Sequence, residues 1–335
     1  MSKVLVVASG FSQATRQPID MMEEAGLLVQ ELDYGPGGLN QNEPEFCRII
    51  KGVDALIVTA IEKVTRRIFE SADRLKMVAI RSAGFEGMDV RAATDRGVLV
   101  TYNPGANRQA VADMTLGLML SVSRKIGWVD RGMREGKYRE LRVNTKDIYQ
   151  KTLGIIGLGR IGKAVALRAK GFDMRIVYHD IVAYPEFAQT HGIEKVSLAQ
   201  LLNDSDIVTF HVPLDESTRN MIGEREIRMM RKGTILINTC RGGVVDEKAI
   251  YSALVSGHLY GYGADVHEKE PPVFLDLLRL DNVVTTCHVA GASEQGLINM
   301  ATEAAEKVIQ FLKDGRIPED VLNPEVLPVI EARKR

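Results

Sequence analysis

The sequence predicts an α/β protein made of two doubly wound parallel-sheet domains. Short apolar, strand-like runs alternate with amphipathic segments along most of the chain. A glycine turn, Gly157-Leu158-Gly159-Arg160-Ile161-Gly162, sits where one such run meets a helical pattern. The length of 335 residues suits about two domains of ~150 residues each, and 45% hydrophobic residues are ample for packed cores.

Taken in order, Val4 to Ala8, Leu27 to Leu32, Ala55 to Ala60, Met77 to Ile80 and Val98 to Tyr102 read as strands. Arg16 to Ala25, Glu45 to Lys51 and Arg66 to Ala72 read as helices between them, which makes this stretch a small βα domain. After Asn103-Pro104-Gly105 the texture changes. Asn107 is placed to cap a long helix from Arg108 to Gly127, whose Val111, Ala112, Met114, Leu116, Leu118, Met119, Leu120 and Val122 are apolar on nearly every side. Such a helix is expected to be buried, between domains. Strands then follow at Thr152 to Ile156, Met174 to His179, Ile207 to Phe210, Thr234 to Asn238, Gly261 to Val266 and Val283 to Thr286, a count suited to a six-stranded doubly wound sheet. Glu294 to Lys313 reads as an amphipathic helix beyond the last strand, expected to cross back to the first domain. Residues 1–103 and 293–335 would then form one discontinuous domain and 104–292 the other. No repeat is evident, and Asn323 to Arg335 reads as a loosely ordered tail.

A lone G-x-G-x-x-G arises by chance in a chain with 30 glycines, so context must carry it. Thr152 to Ile156 supplies the strand; Ile161, Val165, Ala166 and Ala169 recur at helical spacing until Gly171 stops the helix. Gly157 would permit the turn, Gly159 would let backbone amides approach a pyrophosphate, and Gly162 would let the helix pack closely on its strand. Asp180 ends the next strand about 20 residues on, where an acid bonds a ribose 2′-hydroxyl and repels a 2′-phosphate. The pattern describes a Rossmann unit that binds NAD in preference to NADP.

Composition narrows the partners. The net charge of −1 gives no basic footprint for nucleic acid or anionic lipid. No run approaches the ~18 apolar residues of a membrane span, and Met1 to Phe11 is a strand-like start rather than a signal peptide, so a cytoplasmic location is expected. Cys47, Cys240 and Cys287 are widely spaced, which disfavours a disulfide framework or a zinc site; no metal is expected.

Three clusters fall at predicted ends of parallel strands, where ligands bind in open α/β sheets. In Asn238-Thr239-Cys240-Arg241-Gly242-Gly243, a buried strand delivers Arg241 into a glycine turn, suited to holding a carboxylate in bidentate fashion. Asp265-Val266-His267-Glu268-Lys269-Glu270-Pro271 puts three carboxylates at and after a strand end. Cys287-His288-Val289-Ala290-Gly291 puts a histidine just past the last strand.

Together with the glycine turn and His211-Val212-Pro213-Leu214, these motifs resemble the D-isomer-specific 2-hydroxyacid dehydrogenase family over nearly the whole chain, most closely its D-3-phosphoglycerate dehydrogenase and glyoxylate-hydroxypyruvate reductase branch. The resemblance implies a Rossmann nucleotide domain and a flavodoxin-like substrate domain with the active site in a cleft between them. It also implies a homodimer, with the segment near Val129 to Asn144 as an exchanged arm. On that reading the protein is an NAD-dependent oxidoreductase interconverting a small D-2-hydroxy acid and its 2-keto acid.

The resemblance assigns Arg241 to the substrate carboxylate and carbonyl, His288 to proton transfer and Glu270 to the carboxylate paired with His288. It places Asp265 at the nicotinamide carboxamide, and Gly157, Gly159, Arg160, Ile161, Gly162, Asp180, Val212, Pro213, Thr239, Cys240, Ala290 and Gly291 around the cofactor. In the first domain, Ser82-Ala83-Gly84-Phe85-Glu86-Gly87 resembles the loop whose amides, at Ala83 and Gly84, grip the substrate carboxylate; Glu86 and Gly87 stand where Asp and Asn are commoner. Thr59 stands where the phosphoglycerate branch carries a phosphate-binding arginine, with Lys63, Arg81 and Arg108 as substitutes to weigh against solvated surface roles. Cys287 reads as a small buried filler. Regulatory serine-binding domains carried by some relatives are not expected. A different class of function, an NAD(H)-responsive binding protein like the related C-terminal-binding co-repressors, keeps the same catalytic set; the lack of a charged or low-complexity interaction tail argues against it.

Overall fold

The structure, a computed structural model, describes residues 1–34 and 42–334. The chain divides into two compact units, Met1–Asn107 with Ser293–Arg335, and Arg108–Ala292. The division falls after Asn107 rather than after Asn103.

The first unit runs β1 (Lys3–Val6), α1 (Gln17–Glu24), β2 (Leu28–Glu31), α2 (Glu43–Ile49), β3 (Ala55–Val58), α3 (Arg66–Ser71), β4 (Met77–Ile80), α4 (Val90–Asp95) and β5 (Leu99–Thr101). All pairings are parallel, in the order β2-β1-β3-β4-β5. Strands β3 and β4 are buried along their whole length, which is why they read as continuous apolar runs rather than alternating ones. One face of the sheet (Val4, Val6, Ile57, Ala79) packs with Ile19 and Met22 of α1 and with Ala301, Ala304, Ala305 and Val308. The other (Leu5, Leu56, Val58, Val78, Ile80) packs with Phe46, Ile68, Phe69, Ala92 and Ala93.

The second unit begins with α5 (Arg108–Ser123) and α6 (Ile126–Arg134), followed by β6 (Thr152–Ile156), α7 (Arg160–Ala169), β7 (Arg175–His179), α8 (Pro185–His191), β8 (Glu194–Lys195), α9 (Leu198–Asp204) and β9 (Ile207–Phe210). Then come α10 (Glu224–Met229), β10 (Thr234–Asn238), α11 (Glu247–Val255), β11 (Leu259–Ala264), α12 (Leu275–Leu278) and β12 (Val283–Thr285). The chain returns to the first unit with α13 (Glu294–Leu312) and α14 (Leu327–Lys334). The second sheet is parallel, in the order β12-β11-β10-β9-β6-β7-β8. It has seven strands instead of the expected six, because β8 is a two-residue edge strand too short and too polar to show a pattern.

The helix expected from Arg108 to Gly127 stops at Ser123. Lys125 is left-handed, at φ 53°, and Ser123 Oγ donates back to the Leu120 carbonyl, so the path turns before α6 begins. Asn107 does not cap it: its Oδ1 has no hydrogen-bond partner among the described residues. Its buried face, including Val111, Leu118 and Val122, lies against β10, β11 and α7 within the second unit. Gly171 is likewise not the residue that stops α7, which continues into a 3-10 turn over Lys170–Phe172 closed by left-handed Asp173.

The tail is ordered, contrary to the expectation. Val326 is fully buried and Ile330 nearly so, both in the apolar cluster beneath α1, and α14 carries the chain through Lys334; Arg335 lies outside the described residues. The short apolar spacing Val326, Ile330 is one turn of a helix, too little to stand out in a sequence.

Candidate active site

The glycine turn between β6 and α7 has the geometry a dinucleotide cradle requires. Gly157 is left-handed at φ 92°, and a Cβ there would stand 2.6 Å from the His211 carbonyl oxygen and 2.9 Å from Val212 Cγ1. A Cβ on Gly162 would overlap the Gly157 carbonyl, so only glycine lets α7 seat so closely on the turn. At Gly159 a Cβ would meet no protein atom within 4 Å; packing does not demand glycine there, whereas the approach of a ligand would. Arg160 and Ile161 open α7, whose N-terminal amides face this turn. Asp180 follows β7 directly, and its Oδ2 accepts the Leu158 amide at 2.7 Å. These residues fit an NAD pyrophosphate and ribose. Val212 and Pro213 follow β9 beside the turn, and burial holds the neighbouring His211 imidazole neutral, with its pKa down to about 3.

Three more strand ends converge in the same unit. Thr239 and Cys240 follow β10 and are buried, with Thr239 Oγ1 2.9 Å from Thr115 Oγ1. Burial pushes the Cys240 thiol up to about 11, which disfavours the reactive thiolate. Arg241 comes next, its Nη1 donating to the Cys240 carbonyl at 2.7 Å. Past it, Gly242 is packed so tightly that a Cβ would overlap the His267 carbonyl, which brings the Arg241 turn against the loop after β11.

Asp265, which directly follows β11, is 1% exposed and organises the histidine segment. Its Oδ1 accepts Thr286 Oγ1 at 2.5 Å and the Val289 amide at 2.9 Å, its Oδ2 accepts the Ala290 amide at 2.9 Å, and its carbonyl accepts the His288 amide at 2.8 Å. Held this way, His288 adopts φ 57°, a left-handed backbone that costs a non-glycine residue energy and clusters at functional sites. Its Nδ1 lies 2.7 Å from Glu270 Oε2, while Glu270 Oε1 accepts the His267 amide at 3.1 Å. Glu270 raises the His288 pKa above its ordinary value, against the desolvating effect of burial and the repulsion of Arg241. Burial pushes the Glu270 carboxyl up; the hydrogen bonds from His288 and the His267 amide, with the charges of both histidines, outweigh it and hold the carboxyl below its usual value. The arrangement is a half-exposed imidazole, oriented by a carboxylate that favours its charged form, close enough to an arginine to feel its charge.

The second unit thus brings together Arg241, Glu270 and His288. Ala83 and Gly84 belong to the first unit, on the turn after β4, where Ser82 Oγ donates to the Gly84 carbonyl and accepts the Ala60 amide. Beside them, Thr59 is occupied: its amide and hydroxyl both donate to the buried Glu62 carboxylate, at 2.6 and 2.5 Å. Arg81 is not a solvated surface residue; it is 8% exposed and donates to the Ser9 carbonyl. Cys287 is exposed rather than a buried filler, because Asp265 turns the 286–290 segment outward from the end of β12. The sequence reading missed Glu62, Glu247 and His267; buried charge carries no periodicity, and only the partner identifies it.

Comparisons with known proteins identify the family of the chain. Residues 116–290 match the family described as D-isomer specific 2-hydroxyacid dehydrogenase, NAD binding domain. A protein named glyoxylate reductase from Korarchaeum cryptofilum (strain OPF8) is 44% identical over 304 residues, covering 89% of this chain and 91% of that one. One named D-3-phosphoglycerate dehydrogenase from Methanocaldococcus jannaschii is 38% identical over 307 residues, 91% of this chain but 58% of that one. Among solved structures, the TT0316 protein from Thermus thermophilus superposes with a TM-score of 0.85 at 33% identity, over 96% of this chain and 99% of that one. The chain therefore belongs to the D-isomer-specific 2-hydroxyacid dehydrogenase family, with NAD as its cofactor.

Proposed function

We propose that this protein reduces small, unphosphorylated 2-keto acids of the glyoxylate or hydroxypyruvate type to their D-2-hydroxy acids. The observation that carries the reading is the 2.7 Å pair between Glu270 and a raised-pKa His288, with Arg241 on the adjacent loop. When bound, NADH supplies the hydride. As negative charge grows on the substrate carbonyl oxygen, His288 donates its proton there, and Glu270 keeps the imidazole charged and aimed until it does. Arg241 fits the substrate carboxylate, which fixes the carbonyl carbon for attack. In the reverse direction neutral His288 takes the hydroxyl proton. Asp265 acts by holding the His288 segment, and the nicotinamide carboxamide would meet its remaining acceptor capacity. In the first unit, the turn at Ala83 and Gly84 would be suited to offering amides to a carboxylate.

Thr59 and Glu62 favour an unphosphorylated substrate. The Thr59 amide and hydroxyl are both committed to the Glu62 carboxylate, which leaves neither donor for a phosphate. The relatives named glyoxylate reductase support the same choice. The test is NADH oxidation with glyoxylate, hydroxypyruvate and phosphohydroxypyruvate. Turnover of the first two with phosphohydroxypyruvate at least about tenfold poorer in kcat/KM, a difference of ~1.4 kcal/mol, is the expected outcome; a preference for the phosphorylated acid would sink the specificity, and no turnover of any 2-keto acid would sink the function.

The same reading makes the protein a homodimer of the cytoplasm. Ile126, Met133 and Tyr138, on and after α6, are exposed apolar groups suited to a subunit contact, and light scattering at micromolar concentration tests it. Among the described residues, no helix is long and apolar enough to cross a membrane.

A further inference from the structure

Glu247 opens α11, yet it is not that helix's cap. Asp246 caps it, accepting the Lys248 and Ala249 amides. The Glu247 side chain instead turns inward, 7% exposed, and its Oε1 accepts the Glu268 amide at 3.0 Å. The same oxygen stands 3.6 Å from His267 Nδ1, an ionic contact too long for a hydrogen bond. His267 is 5% exposed in its side chain, and its ring meets Glu247 on one side and the Thr286 backbone on the other. Thr286 is two residues before His288. The loop that ends at Glu270 is thus tied at three points: the Asp265 carboxylate holds the histidine segment, the His267 amide holds Glu270, and Glu247 holds Glu268.

A buried carboxylate is costly unless it is used. Neither capping nor a surface ion pair accounts for this one. We propose that Glu247, acting through Glu268 and His267, is a positioning residue that keeps the Glu270 carboxylate in line with His288. The inference rests on the acid role given to His288 above. The charged groups around the pair are Asp265 and Glu270 after β11, His288 after β12, Arg241 after β10 and Glu247 itself at the start of α11. In this string Glu247 supports protonation of His267, and His267 in turn favours the ionised form of Glu270.

The test compares Glu247→Ala and Glu247→Gln in keto-acid reduction. Loss of the anchor in Glu247→Ala should lower kcat by about tenfold, as a sub-ångström misplacement of a catalytic group does, while the Kd for NADH stays within about twofold. Its alkaline limb in kcat/KM should move to lower pH, because His288 loses the carboxylate that keeps it protonated. Glutamine still offers an oxygen to the Glu268 amide, so Glu247→Gln should recover kcat to within about threefold and return most of the limb. Glu247→Ala with wild-type kcat and limb, or Glu247→Gln as impaired as Glu247→Ala, overturns the proposal. Should Glu247→Ala fail to fold, His267→Phe fills the volume while removing the link to Glu247 and Thr286. An acid-shifted limb then supports the assignment and an unchanged limb overturns it. His288→Ala and Glu270→Gln run alongside: if these keep wild-type rates, the acid reading itself fails, whereas crippled rates there with a normal Glu247→Ala remove Glu247 alone.

Discussion

Leu158 donates its backbone amide to Asp180 Oδ2 at 2.7 Å, so the acid after β7 is tied directly to the glycine turn between β6 and α7. Asp180 Oδ1 accepts the Val182 amide at 2.9 Å. The carboxylate is therefore fixed by two donors at the place where a ribose 2′-hydroxyl is expected and a 2′-phosphate would be repelled. Replacement by alanine removes the repulsion and one charge-assisted hydrogen bond of about 1.5–3 kcal/mol. The preference for NADH over NADPH, taken as the ratio of kcat/KM values for Asp180→Ala, should fall by at least about tenfold. An unchanged ratio would assign cofactor choice to another residue.

The reaction should respond to pH through His288. Its pKa is raised above the ordinary 6.5 by the hydrogen bond to Glu270. On the proposed mechanism reduction needs the protonated imidazole, so kcat/KM for the keto acid should fall as pH rises through the raised value. Oxidation of the hydroxy acid needs the neutral ring and rises through that same value. Glu270→Gln removes the charge that sustains the shift while burial still lowers the pKa, so the alkaline limb of reduction moves to lower pH. A limb that stays in place in Glu270→Gln would separate Glu270 from the proton transfer.

Gly242 joins the Arg241 turn to the loop that carries Glu270. A Cβ there would overlap the backbone carbonyl of His267 and crowd the Glu268 amide, and backbone cannot rotate away as a side chain can. Gly242→Ala should therefore displace the Arg241 turn from the 267–270 loop and lower kcat/KM by about 100-fold or more, the scale of a 1 Å misplacement, while NADH binding at the Gly157 turn persists. Near-normal kcat/KM in a folded Gly242→Ala would mean that the two loops need not touch.

Much of this was legible in the sequence, for identifiable reasons. Gly157, Gly162 and Asp180 are specified by backbone geometry, and a glycine that must adopt φ 92° or avoid a carbonyl leaves a fixed spacing. Arg241 follows β10, which reads as an unbroken apolar run because both faces of the sheet are covered there, and Glu270 and His288 lie in the segments after β11 and β12. What stayed hidden has no pattern to show. Two-residue β8 is set by its neighbour β7, and the break after Ser123 turns on one left-handed lysine inside an otherwise helical stretch. Glu247, which sequence position alone would give to the helix N-terminus, has its role decided by a tertiary contact with Glu268. Cys287 faces outward because of the bonds Asp265 makes around it.

The ordered tail yields a stability prediction in the first unit. Asn323 is fully buried beside edge strand β5: its Oδ1 accepts the Val100 amide at 2.9 Å, and its Nδ2 donates to the Val98 carbonyl at 2.9 Å and to Thr94 Oγ1 at 3.0 Å. With the Leu322 amide on the Val100 carbonyl and an antiparallel bridge from Val321 to Thr101, the 321–323 segment satisfies an edge that would otherwise be unpaired. Asn323→Ala leaves a buried N–H and C=O without partners, each costing about 1–3 kcal/mol, so the first unit should lose roughly 2–6 kcal/mol. Urea unfolding followed by amide exchange at Val100 reads this directly: the midpoint should fall and the Val100 amide lose protection, while Leu236 in β10 of the second unit keeps its own. Equal protection at Val100 in the variant and the parent would show that the edge is held by the backbone of Leu322 alone, and that the asparagine is replaceable.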